Sequence, residues 1–141
     1  MKRIGLALCL LCLGVNAQAF DRKNINYDKD FWGTWSIYHG KTQCAENFTF
    51  SKPTQFKYAA SQKKMSGSFS ILSSNDALKH DLLVLNIKQD NGLKGCVESM
   101  NKMSGYKLNL TLKWISKNSA LICTDREAKK CTNLYFIKKS Q

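Results

Sequence analysis

The chain has 141 residues, of which 22 are lysine or arginine and 10 are aspartate or glutamate, so its formal net charge is +12. This length suits one ordinary domain, and the lack of an internal repeat or a Pro/Gly/Ser-rich linker excludes a multidomain array. Nucleic-acid readers usually cluster their charge and use arginine for bidentate contacts. Here lysines are spread singly or in pairs along the chain. This distribution disfavours a nucleic acid and is typical either of a solvated basic surface or of one that attracts an acidic partner.

Residues 1–19 have the pattern of an export signal. Lys2 and Arg3 precede an apolar run over 4–15, and the small-x-small sequence AQA at 17–19 is a cleavage site. No later apolar run approaches the roughly 20 residues that a membrane helix needs. We therefore expect a cleaved signal peptide and a mature chain without a transmembrane segment, located in the periplasm or secreted.

The first strand, predicted over 31–39, follows a polar N-terminal segment at 20–30. Its residues alternate between two faces, as expected for a half-buried strand. One face carries Phe31, Gly33, Trp35, Ile37 and His39, and the other carries Trp32, Thr34, Ser36 and Tyr38. We expect Gly33 and Trp35 to belong to the core, with Trp32 and Tyr38 pointing outward.

Similar alternation continues to the end of the chain and is clearest in YKLNLTLKW at 106–114, which places Trp114 in the core. Short polar turns separate the segments, and no segment has a helical stripe. The sequence therefore predicts an all-β fold, an antiparallel meander of about eight strands that closes into a small barrel over 31–141. The predicted strands are 31–39, 43–51, 54–60, 66–73, 81–88, 105–115, 119–125 and 132–138.

Four cysteines remain after signal cleavage, and an exported chain with an even count is expected to form disulfides. Two strand-like segments flank CTDREAKKC, and a bridge across the base of such a hairpin suits disulfide geometry. We therefore predict the pairs Cys123–Cys131 and Cys44–Cys96. A zinc site is disfavoured because the chain has no C-x-x-C pair with a nearby histidine.

The tripeptide Gly33-Thr34-Trp35, near the start of an eight-strand meander, resembles the Gly-x-Trp signature of lipocalins and related small calycin barrels. The resemblance implies that this segment closes one end of the barrel and that Lys138 or Arg126 lies over the indole. Thr124-Asp125 also resembles the family's second motif, although Arg126 follows where tyrosine is usual. A carrier of a small apolar ligand is the function that this resemblance implies.

The interior of a small eight-strand barrel has room for side chains or for one small ligand. Enough large rings are available to fill it, so we expect a filled interior and a site on the rim or outer face. The rings expected inside are Trp35, Trp114, Phe48, Phe50, Phe56, Phe69 and Phe136.

No catalytic set can be assembled from the sequence. His39 and His80 lack a neighbouring pattern of nucleophile and base. The polar pairs at 28/30 and 90/91 supply too few oxygens for a calcium loop. We expect no enzymatic activity, no metal and no cofactor.

These expectations leave binding as the function. The glycosylation-type sequons at 47–49 and 109–111 lie inside predicted strands, which together with the compact signal favours a bacterial envelope protein. We predict an acidic macromolecular partner, in the manner of an inhibitor or immunity protein. A carrier of a small apolar ligand and a binder of anionic envelope lipid or glycan are the alternatives. The candidate binding surface consists of Trp32, Tyr38, Lys63, Lys64, Lys129 and Lys130.

Overall fold

The computed structural model describes residues 19–97 and 102–140, in which eight antiparallel strands form a closed barrel. Each strand pairs with its neighbours in sequence, and β1 pairs with β8 to close the barrel. The predicted fold class is therefore confirmed. The strands are β1 (Gly33–His39), β2 (Cys44–Ser51), β3 (Gln55–Ala60), β4 (Lys63–Leu72), β5 (Asp81–Asp90), β6 (Lys107–Ser116), β7 (Ser119–Cys123) and β8 (Cys131–Lys138).

Two short helical turns precede the barrel, a 3-10 turn (Arg22–Asn24) and the four-residue helix α1 (Tyr27–Asp30). The side chains of Asp21 and Asn26 cap them, each accepting a backbone N–H from two residues further on. No helix in the described ranges is long and apolar enough to cross a bilayer. The predicted signal peptide, except for its last residue, lies outside the described residues.

Aromatic rings fill the inside of the barrel. All seven rings expected there are buried, and Phe31 joins them. Ring centroids lie 4.6 Å apart for Phe31 and Phe50, and the Trp35 ring lies 5.0 Å from Phe136 and 5.7 Å from Trp114. Aromatic pairs favour such offset and edge-to-face contacts. The seven rings expected to fill the interior therefore do lie inside the barrel.

The Gly-x-Trp segment forms the start of β1, and its Trp35 side chain is fully buried in the barrel. The indole N–H of Trp35 donates to the backbone oxygen of Phe31 at 2.8 Å. Lys138 places its Nζ 6.0 Å from the centroid of the Trp35 ring, a cation–π distance. Arg126, the other candidate, instead donates to the backbone oxygens of His80 and Leu72.

A β-bulge in β5 changes which of its side chains face inward. Gly67 of β4 pairs with Ile87, whereas the residue before Gly67 pairs with Gln89, which leaves Lys88 as the extra residue. Without the bulge, alternation from Ile87 would turn Gln89 toward the interior. With it, Asp90 is buried and Gln89 is exposed.

Gly67 allows β4 and β5 to approach each other closely beside this bulge. A Cβ atom at this position would lie 1.9 Å from the backbone oxygen of Asn86, far inside the contact distance. Only glycine fits here without moving a strand.

Both predicted disulfides are present. Cys123 and Cys131 lie directly opposite each other in the β7–β8 pair. Cys44 at the start of β2 is joined to Cys96, which lies in the connection between β5 and β6. The second bridge fastens this long connection to the barrel.

Candidate binding surface

Lys63, predicted from the sequence to lie on the binding surface, is fully buried, so that prediction is wrong. The predicted strands 54–60 and 66–73 leave Lys63 in the turn between them, but the turn spans only residues 61–62, with Ser61 in the left-handed region at φ 51°. Strand β4 therefore begins at Lys63, and alternation turns this side chain inward. Lys64 points outward and is exposed.

A bidentate ion pair holds the buried Lys63 ammonium. Its Nζ lies 2.9 Å from Oδ2 and 3.1 Å from Oδ1 of Asp90, and neither side chain is accessible to solvent. The same carboxylate accepts the backbone N–H groups of Gly92 at 2.8 Å and Met103 at 2.7 Å. Burial alone would raise the pKa of Asp90. The hydrogen bond from Lys63, followed by those from Gly92 and Met103, outweighs burial and holds the pKa below its usual value. The pair ties the β5–β6 connection to the barrel interior.

Glu46 is a second buried carboxyl at the same end of the barrel. Its Oε1 lies 3.0 Å from Nε2 of His39. Burial raises the pKa of Glu46, and the neighbouring His39 opposes the shift. Burial, followed by the charge of Glu46, also raises the pKa of the buried Tyr58. The Glu46 side chain therefore lies inside the barrel and not on its outer surface.

Asp81, at the start of β5, is the third buried carboxyl. The indole N–H of Trp114 donates to its Oδ2 at 3.0 Å, and the hydroxyl of Tyr27 also donates to this oxygen. Arg22 places a guanidinium nitrogen 3.8 Å from Oδ1. Burial, reinforced by Asp81, raises the pKa of Tyr27. These contacts fasten the N-terminal segment across the end of the barrel that holds Trp114.

The outer surface of the strands carries lysines and no exposed carboxylate. The three acidic residues that lie in strands are the buried Glu46, Asp81 and Asp90. In the described ranges, every exposed carboxylate lies in the N-terminal segment or in a connecting loop. We call the exposed strand lysines the basic wall: Lys57, Lys64, Lys88, Lys107 and Lys113.

Closure of the barrel creates an exposed apolar patch where β1 meets β8. Tyr38, Tyr135 and Ile137 are 59 %, 47 % and 50 % exposed, and we call these three residues the aromatic face. They line a groove of about 630 Å³ together with Ser36 and Asn133. Alternation in β8 could have shown that Tyr135 and Ile137 share a face, but only closure places them beside Tyr38.

The other predicted surface residues do not form one patch with Tyr38. Trp32 is half-buried against Phe69 just before β1, with Lys52 Nζ 5.6 Å from its ring. Lys64 lies on β4, three strands away from β1. The remaining pair, at 129–130, is exposed in the β7–β8 connection.

Asp125 orders the backbone of that connection. Its carboxylate accepts the backbone N–H groups of Lys129 at 3.0 Å and Lys130 at 2.7 Å. The bond from Lys129 is the main cause that holds the pKa of Asp125 below its usual value; burial opposes it, and the bond from Lys130 lowers the pKa further. The two lysine side chains extend from a loop that its own hydrogen bonds fix in place.

A second groove, of about 550 Å³, crosses the outside of β2 to β5. Lys57 and Lys64 of the basic wall line it, together with hydroxyl and amide side chains such as Thr49 and Gln89. Neither lysine forms an ion pair with a described carboxylate. Both ammonium groups are therefore available to an external anion.

Comparison with known proteins gives no relative from which a function could be transferred. The chain matches no protein-family model, no curated protein and no solved structure at a significant level. The likeness to lipocalins therefore rests on the closed eight-strand barrel and on the Gly33–Trp35 segment with Lys138.

Proposed function

We propose that this chain is an exported, non-catalytic binding protein of the bacterial envelope and that its basic wall binds an acidic macromolecule. The observation that carries the proposal is the sorting of charge across the strands, with every described strand carboxylate buried and five strand lysines exposed. The two disulfides support an oxidising compartment such as the periplasm or the exterior.

Burial of carboxylates makes the surface more basic than the composition suggests. Three acidic side chains lie inside the barrel, while Lys63 is the only fully buried lysine within residues 19–97 and 102–140. Exposed like charges on one curved wall raise the potential above it, and this potential attracts an oppositely charged partner and speeds association.

The two alternative functions are supported unequally. A carrier of a small apolar ligand needs interior space, and the packed rings around Trp35 and Phe136 occupy it. A binder of anionic envelope glycan or lipid is supported by the groove that contains Lys57 and Lys64 among hydroxyl and amide groups. Native mass spectrometry addresses the first alternative, because a carrier should retain a small molecule whatever the salt concentration.

Charge reversal tests the proposal. The mature chain is immobilised and exposed to envelope extract at 0.1 M and 1 M salt, between which the Debye length falls from about 10 Å to about 3 Å. A partner bound through the wall should be retained at the lower concentration and elute at the higher one. Reversal by Lys57→Glu with Lys64→Glu should slow its association several-fold.

The matched control is Lys23→Glu with Lys29→Glu, which changes the net charge equally on the N-terminal segment. Equal slowing in both double variants would mean that net charge alone, and not the wall, attracts the partner. Retention that is insensitive to salt, or no retention of any macromolecule at 0.1 M, would contradict the proposal.

A further inference from the structure

The aromatic face is an unusual feature for the outside of a small barrel. The β1–β8 register pairs Ser36 with Ile137 and Ile37 with Phe136, and its continuation brings Tyr38 opposite Tyr135. The outward side chains of Tyr38, Tyr135 and Ile137 are each about half exposed. Single exposed apolar residues are ordinary, whereas a contiguous group with a polar border marks an interaction site.

The chemistry of this patch fits a protein surface. Tyrosine gives a large apolar contact area and a hydroxyl that can bond to a partner, and few of its torsions are lost on binding. Leu121 lies opposite Tyr135 in the β7–β8 register and extends the patch around the barrel. Ser36 and Asn133 border the groove with polar groups, as in the rim of a protein interface.

The charges around the patch define the partner further. Strands β1, β6, β7 and β8, which form this side of the barrel, contain no aspartate or glutamate. Lys113 of β6 lies opposite Leu121 at the side of the patch. Lys139, directly after β8, lines the groove. A second copy of this chain would bring these lysines toward each other, whereas an acidic surface would pair with them.

We propose that the aromatic face is the centre of a docking site for an acidic protein, with Tyr38 and Tyr135 as its anchors and the flanking lysines as its rim. This inference rests on the proposed function and adds the class of partner and the place where it binds. Tyrosine anchors at the centre of an interface carry much of the affinity, whereas rim charges act mainly on the association rate. The two contributions can therefore be measured separately.

The experiment begins with site-specific cross-linking in envelope extract. A photoreactive benzoylphenylalanine replaces Tyr38 in one sample and Lys23, which is exposed in the N-terminal segment outside both proposed surfaces, in another. The expected result is a discrete protein adduct at position 38, with an acidic isoelectric point, and no equivalent adduct at position 23. The captured protein is then purified, and its Kd for the wild-type mature chain is measured at 0.1 M and 0.5 M salt.

The decisive variant is Tyr38→Ser with Tyr135→Ser, and Tyr106→Ser is its control because Tyr106 is 64 % exposed outside this patch. Loss of two anchors should raise the Kd by about 30-fold or more at both salt concentrations. The control should change the Kd by less than about twofold, as an exposed side chain outside the interface. Circular dichroism checks that each variant keeps the barrel.

Other outcomes overturn the inference and separate its failure from that of the proposed function. An adduct at position 38 that is a second copy, a lipid or a glycan would overturn it, as would an unchanged Kd in the double tyrosine variant. If the double tyrosine variant leaves the Kd unchanged but charge reversal at Lys57 and Lys64 still slows association, the docking inference fails and the proposed function stands. If neither position gives an adduct and no salt-sensitive partner is retained, both proposals fail.

Discussion

Replacing Lys63 by methionine should destabilise the barrel strongly, although the residue is a lysine in a lysine-rich chain. Methionine keeps the unbranched apolar stem but removes the ammonium that lies 2.9 Å and 3.1 Å from the two carboxylate oxygens of Asp90. Breaking a buried ion pair by removing one partner costs about 3–5 kcal/mol. The N–H groups of Gly92 and Met103 still stabilise the carboxylate in the variant, so we expect the lower end of that range, about 3 kcal/mol.

Urea unfolding followed by tryptophan fluorescence measures this cost. For slopes of about 1–3 kcal/mol/M, a loss of 3 kcal/mol lowers the midpoint by about 1–3 M. The neighbouring Lys64→Met is the control, because that side chain is exposed and its replacement should change the free energy of unfolding by no more than about 0.5 kcal/mol. Equal midpoints for the two variants would refute the assignment of Lys63 to a buried ion pair.

The pH dependence identifies the ion pair as the cause of that loss. The pKa of Asp90 is lower in the folded chain than in the unfolded chain, where it is about 3.9. The stabilisation by the ionised Asp90 is therefore complete above its pKa in the unfolded chain and is lost as the pH falls through its pKa in the folded chain. The penalty of Lys63→Met should be full at pH 7 and smaller at pH 3. A penalty of the same size at both pH values would point to lost packing instead.

Three further substitutions test other parts of the structure. Gly67→Ala should cost about 1–3 kcal/mol in urea unfolding because its Cβ has no room, whereas Gly40→Ala, with no atom within 4 Å of the added Cβ, should change little. Trp35→Ala should cost about 3–5 kcal/mol and the half-buried Trp32→Ala much less, and equal midpoints would contradict the assigned inward face. Burial raises the pKa of Glu46, so the contribution of this group to stability is lost as the pH rises through its pKa in the unfolded chain and then its pKa in the folded chain. Thermal unfolding of Glu46→Gln should therefore show a smaller loss of stability between pH 4 and pH 7 than the wild type does.

Local alternation was enough to predict most of the fold. A period of two recurs in every strand, and each strand begins and ends within a few residues of its predicted bounds. The pairing of Cys123 with Cys131 followed from a short hairpin, and the pairing of Cys44 with Cys96 followed by elimination. The strand alternation and the Cys123–Cys131 hairpin both depend on features that lie close together in the sequence, which a single chain makes visible.

Features that depend on contacts between distant strands could not be predicted in the same way. The partner of Lys63 is 27 residues away, and Asp90 faces it only because a bulge inserts Lys88 into β5. Nothing in the local pattern distinguishes a lysine that starts a strand from one that ends a turn. Likewise, Tyr135 lies beside Tyr38 because the last strand pairs with the first, which no local period indicates.

The sorting of charge between the inside and the outside of the barrel predicts opposite effects of salt on folding and on binding. Exposed lysines such as Lys57, Lys64 and Lys113 have no outward carboxylate on the strands to offset them, so their mutual repulsion opposes the compact state. Salt screens exposed charges strongly and the buried pair of Lys63 and Asp90 much less. Raising salt from 0.01 M to 0.5 M should therefore raise the urea midpoint of the isolated chain while it slows association with an acidic partner. If the midpoint falls instead, attractive surface pairs outweigh the repulsion, and the wall is not the uniformly basic surface on which the proposed function depends.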